Sequence, residues 1–168
     1  MSVLKGSVIV VTGAGSGIGQ GCVELLCDNG AMVVGLDVQE SGTQTERFKH
    51  FMVDVRDEVS VNNTLDIIDS QYSKIDALVN CAGVYSCGKP FYEMSLEEWN
   101  KVLSINLTGT FLMSKCVGQR MIKNEKGKIV NISCIRSRIF RPNMAEYAAA
   151  KGGSRSINFC NGARPSPL

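Results

Sequence analysis

The stretch Thr12-Gly13-Ala14-Gly15-Ser16-Gly17-Ile18-Gly19 decides the fold of this chain. It follows a short β-branched apolar run, Ser7 to Thr12, and leads into Ile18 to Asn29, where apolar residues recur at helical spacing. Glycines let a backbone turn tightly and approach a pyrophosphate, whose charge is met by the free N–H groups at a helix start. The stretch predicts a strand, a phosphate-binding turn and a helix; a plain tight turn is the alternative.

Strands and helices alternate through the rest of the chain. Further strands are predicted over Ala31 to Leu36, Phe48 to Val53, Ile75 to Val79 and Lys128 to Ile132. Helices are predicted over Val59 to Tyr72, over Leu96 to Ile122, and from Asn143 until helical character is lost at Asn161. Apolar strands separated by helices need both faces covered, which predicts a doubly wound parallel sheet. One α/β domain over residues 1–160 and an irregular tail over 161–168 are expected.

The composition excludes several classes of protein. The 168 residues are 44% hydrophobic and 20% charged, which suits one domain with a core. The formal net charge is +2 with both signs spread along the chain, so no nucleic-acid partner is expected. Apolar runs such as Val8 to Val11 are far shorter than the roughly 20 residues that span a bilayer. With no secretory signal at its start, the protein is expected in the cytoplasm, without a membrane partner.

The cysteines give no sign of a disulfide framework or of a metal site. There are seven of them, scattered along the chain and without any Cys-x-x-Cys pair. Most are therefore expected to be small apolar packing residues, and no metal is expected.

An acidic residue, Asp37, closes the second predicted strand. A carboxylate at this place accepts hydrogen bonds from the adenosine ribose hydroxyls and repels a 2′-phosphate. The glycine-rich stretch also contains no arginine or lysine that would hold such a phosphate. These two observations predict NAD(H) as cofactor in preference to NADP(H); an ordinary turn residue is the alternative for Asp37.

The glycine spacing resembles the Thr-Gly-x-x-x-Gly-x-Gly signature of the short-chain dehydrogenase/reductase family, and further family motifs follow in order over about residues 5 to 158. Asp54-Val55 resembles the adenine-contacting pair, and Asn80-Cys81-Ala82-Gly83 resembles the Asn-Asn-Ala-Gly motif with cysteine at its second position. Asn106 resembles the active-site asparagine, and Asn131-Ile132-Ser133-Cys134 resembles the segment with the catalytic serine. Tyr147 and Lys151 match the Tyr-x-x-x-Lys pair.

The resemblance implies a Rossmann-like sheet with strand order 3-2-1-4-5 and an NAD(H)-dependent oxidoreductase that interconverts a secondary alcohol and a ketone. A homo-oligomer is implied for the full-length form. The implied catalytic residues are Asn106, Cys134, Tyr147 and Lys151. The implied cofactor contacts are Gly13, Gly15, Ser16, Gly17, Ile18, Gly19, Asp37, Asp54, Val55, Asn80, Ala82, Gly83, Tyr147 and Lys151.

The Tyr147 and Lys151 pair also makes chemical sense by itself. Residues four apart share a helix face, so the ammonium of Lys151 is expected near the phenol of Tyr147. Bringing a tyrosine pKa from about 10 to near 7 takes roughly 4 kcal/mol of preferential stabilisation of the phenolate. A nearby cation, aided by the positive nicotinamide ring, supplies such stabilisation. Tyr147 is then the general acid and base, and Lys151 also holds the nicotinamide ribose. The alternative for this pair is an ordinary solvated helix face. The resemblance implies that Asn106 organises a water for proton relay, and the alternative for Asn106 is a residue at a helix kink.

Two departures from the family pattern stand out. The family serine lies thirteen residues before the tyrosine, where this chain has Cys134, while Ser133 and Ser137 are out of register. A thiol is a weak hydrogen-bond donor, so a slow enzyme is one expectation. The family also continues past residue 160 with two more strands and a segment that covers the substrate, so the chain is expected to be incomplete at its C-terminus. A catalytically impaired remnant that at most binds dinucleotide is therefore the second functional hypothesis, and a regulatory nucleotide-binding module the third.

Overall fold

The structure, a computed structural model, describes residues 3–43 and 45–160, the last three of these by their backbone alone. Within these residues five strands are present: β1 Val8–Thr12, β2 Met32–Asp37, β3 Phe48–Met52, β4 Ala77–Asn80 and β5 Lys128–Asn131. All pair in parallel, in the order β3-β2-β1-β4-β5. This confirms the predicted doubly wound sheet and its strand order.

In the described ranges five α-helices connect and cover these strands: α1 Gly17–Asp28, α2 Glu58–Tyr72, α3 Leu96–Leu103, α4 Thr110–Lys123 and α5 Ala145–Cys160. A π-helical stretch, Ser104–Gly109, joins α3 to α4, and a short 3-10 turn, Ile135–Ser137, precedes α5. None of the helices in the described part of the chain combines the length and apolar character that crossing a membrane requires.

Two apolar layers lie on opposite faces of the sheet, because alternate residues of a strand point to opposite sides. On one face Val10 and Val34 pack with side chains of α2 and α4, among them Leu65 and Met113. On the other face Ile9, Val11 and Val33 pack with Val23 and Cys27 of α1. Burial on both faces explains why the two central strands β1 and β2 are mostly apolar, since neither of their faces meets solvent.

The helices begin where the sequence supplies acceptors for their first N–H groups. The Asp57 carboxylate accepts from the amides of Val59 and Ser60 at the start of α2. Ser95 and Glu98 form a capping box at the start of α3. α5 begins at Ala145 rather than at the predicted Asn143, because Asn143 has a left-handed backbone conformation with φ of 62°.

The predicted long helix from Leu96 to Ile122 is instead divided by the π-helical stretch. The expected tail, residues 161–168, lies outside the described residues.

Candidate active site

A cleft of about 410 Å³ lies at the carboxyl ends of β1, β2 and β4. In a doubly wound sheet this edge is where ligands bind. The cleft brings together ten of the predicted cofactor contacts: Gly13, Ser16, Gly17, Ile18, Gly19, Asp37, Asp54, Val55, Ala82 and Gly83. The other four, Gly15, Asn80, Tyr147 and Lys151, are not among its lining residues.

The glycine-rich turn between β1 and α1 leaves no room for larger side chains. Gly13 has φ of 67°, and a Cβ there would lie 2.8 Å from the backbone of Ala82. A Cβ on Gly19 would overlap the carbonyl oxygen of Gly13. The Thr12 hydroxyl accepts from the amides of Cys81 and Ala82, each at 3.1 Å, and so joins the ends of β1 and β4. This close approach leaves the cleft open in front of the start of α1, which is the shape that a dinucleotide pyrophosphate requires.

Replacing Gly19 with alanine should lower the free energy of unfolding by about 2 kcal/mol or more, because the new methyl group meets backbone atoms. Gly21→Ala is the matched control, since it lies in the same helix and a Cβ there meets nothing within 4 Å. It should stabilise the protein by roughly 0.5–1 kcal/mol. Urea denaturation of the three proteins measures both effects, and equal midpoints for Gly19→Ala and the parent would contradict the packing described.

Gly15 acts on Asp37 rather than on the cleft itself. The Gly15 amide donates to Asp37 Oδ2 at 2.8 Å, and the Gln39 amide donates to Oδ1 at 3.0 Å. A Cβ on Gly15 would lie 3.1 Å from the same Oδ2 atom. The glycine therefore fixes the carboxylate at the cleft edge, a role that the sequence pattern did not assign to it.

Arg56, which the sequence motifs did not indicate as a site residue, lines the cleft beside Asp54. Its Nε lies 2.9 Å from Asp54 Oδ1 and 3.0 Å from Oδ2, in the planar fork geometry of an arginine–carboxylate pair. This hydrogen bonding lowers the pKa of Asp54. The Asp-x-Arg spacing was the available signal, since the side chains of residues 54 and 56 can meet across the turn before α2.

Asn80 lies behind the cleft rather than in it. Its side chain is buried, and its Nδ2 donates to Asn131 Oδ1 at 2.7 Å and to Ser114 Oγ at 3.1 Å. These bonds join β4 to β5 and to α4. In the structure Asn80 thus stabilises the end of β4 behind the cleft and does not line the cleft.

Asn106 is completely buried within the π-helical stretch. Its Oδ1 accepts from the Val84 amide and its Nδ2 donates to the Val84 carbonyl, both at 2.8 Å. Its own carbonyl oxygen accepts from the hydroxyls of Thr110 and Ser154, each at 2.9 Å. Asn106 therefore lies at the break in the long helix and fastens the chain that follows β4. Its implied role in a proton relay stays a prediction.

Tyr147 and Lys151 lie together on α5, as their spacing predicts. The Lys151 Nζ is 6.0 Å from the centre of the Tyr147 ring and donates to the carbonyl oxygen of Ile132 at 2.8 Å. Lys151 is 6% exposed, and burial lowers the pKa of its ammonium. A Cβ on Gly83 would lie 3.7 Å from this Nζ, so the pair adjoins the inner end of the cleft.

In the protein without a nicotinamide cofactor the pKa of Tyr147 is raised, whereas the lowered pKa expected from the sequence includes the positive nicotinamide ring. Burial, followed by the neighbouring Cys134 and Tyr85, raises it to about 12 in the protein alone. The Lys151 ammonium, which would favour the phenolate, donates instead to the carbonyl oxygen of Ile132. At neutral pH the phenol is therefore protonated.

Cys134 occupies the position beside Tyr147 that counting along the sequence indicated. Its thiol is the second contribution to the raised pKa of Tyr147, after burial. Ser133, by contrast, directs its hydroxyl to the carbonyl oxygen of Lys151 at 3.5 Å. The structure thus brings Cys134, Tyr147 and Lys151 together and turns Ser133 toward the backbone of α5.

Metal ligands are not grouped in this site. Among the residues that the structure describes, no three His, Cys, Asp or Glu side chains lie together as a metal would require.

Comparison with known proteins finds a family and several relatives. The family model described as short chain dehydrogenase matches residues 7–160. The chain is 36% identical over 159 residues to D-threitol dehydrogenase of Mycolicibacterium smegmatis, a match that covers 89% of this chain and 61% of the relative. It is 35% identical over 156 residues to a 3-oxoacyl-(acyl-carrier-protein) reductase of Vibrio cholerae, covering 89% of this chain and 64% of that protein.

A solved structure of NAD⁺-bound xylitol dehydrogenase resembles the fold with a TM-score of 0.85 at 30% sequence identity. That match covers 92% of this chain and 63% of the other. The chain thus spans less than two thirds of the length of the proteins it matches.

Proposed function

Because the chain belongs to the short-chain dehydrogenase family, we propose that it is an NAD(H)-dependent oxidoreductase that interconverts a secondary alcohol and a ketone. The observation that carries the proposal is the grouping of Tyr147, Lys151 and Cys134 at the inner end of the cleft. D-threitol and xylitol contain secondary alcohols, and a 3-oxoacyl group contains a ketone, so the names of the relatives agree with this reaction class.

The cleft fits a nicotinamide dinucleotide. The turn from Gly13 to Gly19 would hold the pyrophosphate, Asp37 the adenosine ribose, and Asp54 with Val55 the adenine. Lys151 would hold the nicotinamide ribose after releasing the Ile132 carbonyl. The bound dinucleotide supplies or accepts the hydride.

The chain's own residues then handle the proton and orient the substrate. In the reducing direction the Tyr147 phenol donates its proton to the carbonyl oxygen, and in the oxidising direction the phenolate accepts the proton of the alcohol. The high pKa of Tyr147 in the protein alone keeps the phenol protonated and ready for reduction. Cys134 lies where it can donate a weak hydrogen bond to the substrate oxygen.

A nucleotide-binding protein without turnover is the second candidate, favoured by the thiol at position 134 in place of a hydroxyl. Two measurements separate the candidates. Quenching of protein fluorescence by NADH reports binding, and NADH formation from a panel of secondary alcohols, including threitol and xylitol, reports turnover. Binding with turnover supports the oxidoreductase, binding alone supports the second candidate, and no binding contradicts both.

NADH should bind at least about tenfold more tightly than NADPH, because the 2′-phosphate would meet the Asp37 carboxylate at the cleft edge. Two unit charges about 4 Å apart near a protein surface repel by up to about 4 kcal/mol, so tenfold, about 1.4 kcal/mol, is a conservative expectation. Asp37→Ala should bring the two affinities within about threefold of each other. Glu40→Ala, an exposed carboxylate three residues away, should keep the preference. Equal affinities in the parent protein would refute the role of Asp37.

A further inference from the structure

Glu146, the residue before Tyr147, is a fully buried carboxylate that the proposed reaction does not use. Its Oε1 accepts from the Ser86 hydroxyl at 2.7 Å and from the Cys87 amide at 2.8 Å. Its Oε2 is also buried and has no hydrogen-bond partner among the described residues. Burying a carboxylate is costly unless donors surround it, so a fold that keeps one here requires an explanation.

The carboxylate is ionised at neutral pH despite its burial. Burial acts to raise the pKa of Glu146, but the donors Ser86 and Cys87 outweigh it and leave the pKa below its ordinary value. A charged acceptor makes stronger hydrogen bonds than a neutral one. The hydrogen bonds of the Glu146 carboxylate therefore hold the segment that contains Ser86 and Cys87 against α5.

That segment, residues 84–88, is called the Tyr85 loop here. One end is fixed by Asn106, which bonds both backbone groups of Val84. Its middle is fixed by Glu146, and the Ser86 hydroxyl also lies 2.9 Å from its acceptor, the Asn143 carbonyl oxygen. The loop is thus attached to the active-site helix on the side next to Tyr147.

The result of this attachment is the placement of Tyr85. Its ring lies 5.3 Å from the Tyr147 ring, centre to centre, at an interplanar angle of 53°. Among the described residues its hydroxyl makes a single weak bond, to the sulfur of Met144 at 3.8 Å. Tyr85 is 67% exposed, so its own burial does little to hold it in place. The backbone of the loop, held by Glu146, is what keeps this ring against Tyr147.

We propose that Glu146 is a positioning residue that holds the Tyr85 loop on α5, so that Tyr85 forms the wall against which a substrate bound at Tyr147 packs. The proposal rests on the proposed function, because it needs a substrate at Tyr147. The exposed face of Tyr85 is wide and apolar, and C–H groups on either side of a carbinol or carbonyl carbon pack well on such a ring. Glu146 acts through Tyr85 and touches no substrate atom.

Substitutions at Glu146 and Tyr85 test the proposal by steady-state kinetics. Glu146→Ala removes the acceptor and should lower kcat about ten- to a hundredfold, because small displacements at a reacting centre are costly. Glu146→Gln keeps an acceptor oxygen and should recover most of that loss. The affinity for NADH should change less than about twofold in each, since Glu146 does not line the cleft. Glu93→Ala, at an exposed carboxylate five residues after the loop in sequence, is the matched control.

A double-mutant cycle distinguishes positioning through Tyr85 from a general loss of structure. Tyr85→Ala should itself lower kcat/KM, and Tyr85→Phe should keep most of it because the ring remains. Adding Glu146→Ala to Tyr85→Ala should then cost less than about twofold more, since the wall is already gone. Equal costs of Glu146→Ala with and without Tyr85 would overturn the proposal.

Hydrogen exchange at the Cys87 amide tests the attachment without any turnover. This amide donates to Glu146 and should be protected in the parent and in Glu146→Gln, and should exchange at least about tenfold faster in Glu146→Ala. Unchanged protection in Glu146→Ala would overturn the proposal. A parent protein that binds NADH but turns over no alcohol would instead refute the proposed function, and the role of Tyr85 toward substrate with it, while the exchange rates still decide the attachment.

Discussion

Tyr147→Phe should lower kcat/KM for alcohol oxidation by about a thousandfold, within the range that a general acid or base contributes. The substitution removes one oxygen atom and leaves the ring that packs against Tyr85. The affinity for NADH should stay within about twofold, because Tyr147 is not among the residues that line the cleft. Initial rates of NADH formation and a fluorescence titration on the same preparations measure the two quantities.

Tyr92→Phe is the matched control for this experiment, since Tyr92 is 74% exposed and lies against Phe91. It should leave both the rate and the affinity unchanged. A Tyr147→Phe protein that retains a tenth or more of the parent rate, a loss far smaller than the range of about 10² to 10⁴ for a general acid or base, would show that another group moves the proton.

The pH dependence of the free protein follows from the same residue. Because the pKa of Tyr147 is raised to about 12, its phenolate absorbance should appear only near that pH, above the range of an ordinary tyrosine at about 10. Tyr147→Phe should lack this late step in an ultraviolet titration. The rate of reduction, which needs the protonated phenol, should accordingly show no pH dependence from the titration of Tyr147 near neutral pH.

The fold could be predicted from the sequence because its signals are local and repeated. Five apolar runs, four of them followed by a turn and a helical pattern, allow little besides a covered parallel sheet. The strand order came from the family resemblance, and the glycine spacing located the cleft. These are features in which short stretches of sequence determine the backbone directly.

Contacts between distant segments could not be predicted in the same way. The π-helical stretch lies where Asn106 bonds the Val84 backbone, 22 residues away in sequence. The apolar pattern of Leu96 to Ile122 does not indicate this break in the helix. Glu146 looks like an ordinary helix-start carboxylate until Ser86 is placed beside it.

The raised pKa of Tyr147 in the protein alone could not be predicted from the sequence for a related reason. A spacing of four residues places the Lys151 side chain on the same helix face as the phenol, and that much is correct. The spacing says nothing about which acceptor the ammonium finds, and the Ile132 carbonyl at 2.8 Å is that acceptor. Because the cation is directed away, burial becomes the dominant influence on the phenol.

Counting along the sequence and the structure both place residue 134 beside Tyr147. The thirteen-residue interval to Tyr147 selected Cys134 over its serine neighbour, and the structure places the Cys134 thiol by the phenol and the Ser133 hydroxyl at the Lys151 carbonyl. Each of the two residues can therefore be tested separately.

Cys134→Ser should raise kcat/KM by about ten- to a thousandfold, the range that one donor to a developing oxyanion carries. A hydroxyl is a stronger donor than a thiol and is smaller, so it places a better hydrogen bond on the substrate oxygen. The substitution also removes the Cys134 thiol, which raises the pKa of Tyr147, so the pKa of the phenol should fall from about 12. The gain should appear mainly in kcat, with the affinity for NADH unaltered.

Ser133→Ala is the discriminating control for that gain. If Cys134 is the residue beside the substrate oxygen, removing the Ser133 hydroxyl should change kcat/KM by less than about threefold, because its 3.5 Å bond to Lys151 is weak. If Ser133 were the donor, its loss would cost about a hundredfold or more and Cys134→Ser would bring no gain. Turnover by Cys134→Ser that equals or falls below the parent, with Ser133→Ala unaffected, would mean that Ser137 already fills the role or that the thiol has a function of its own.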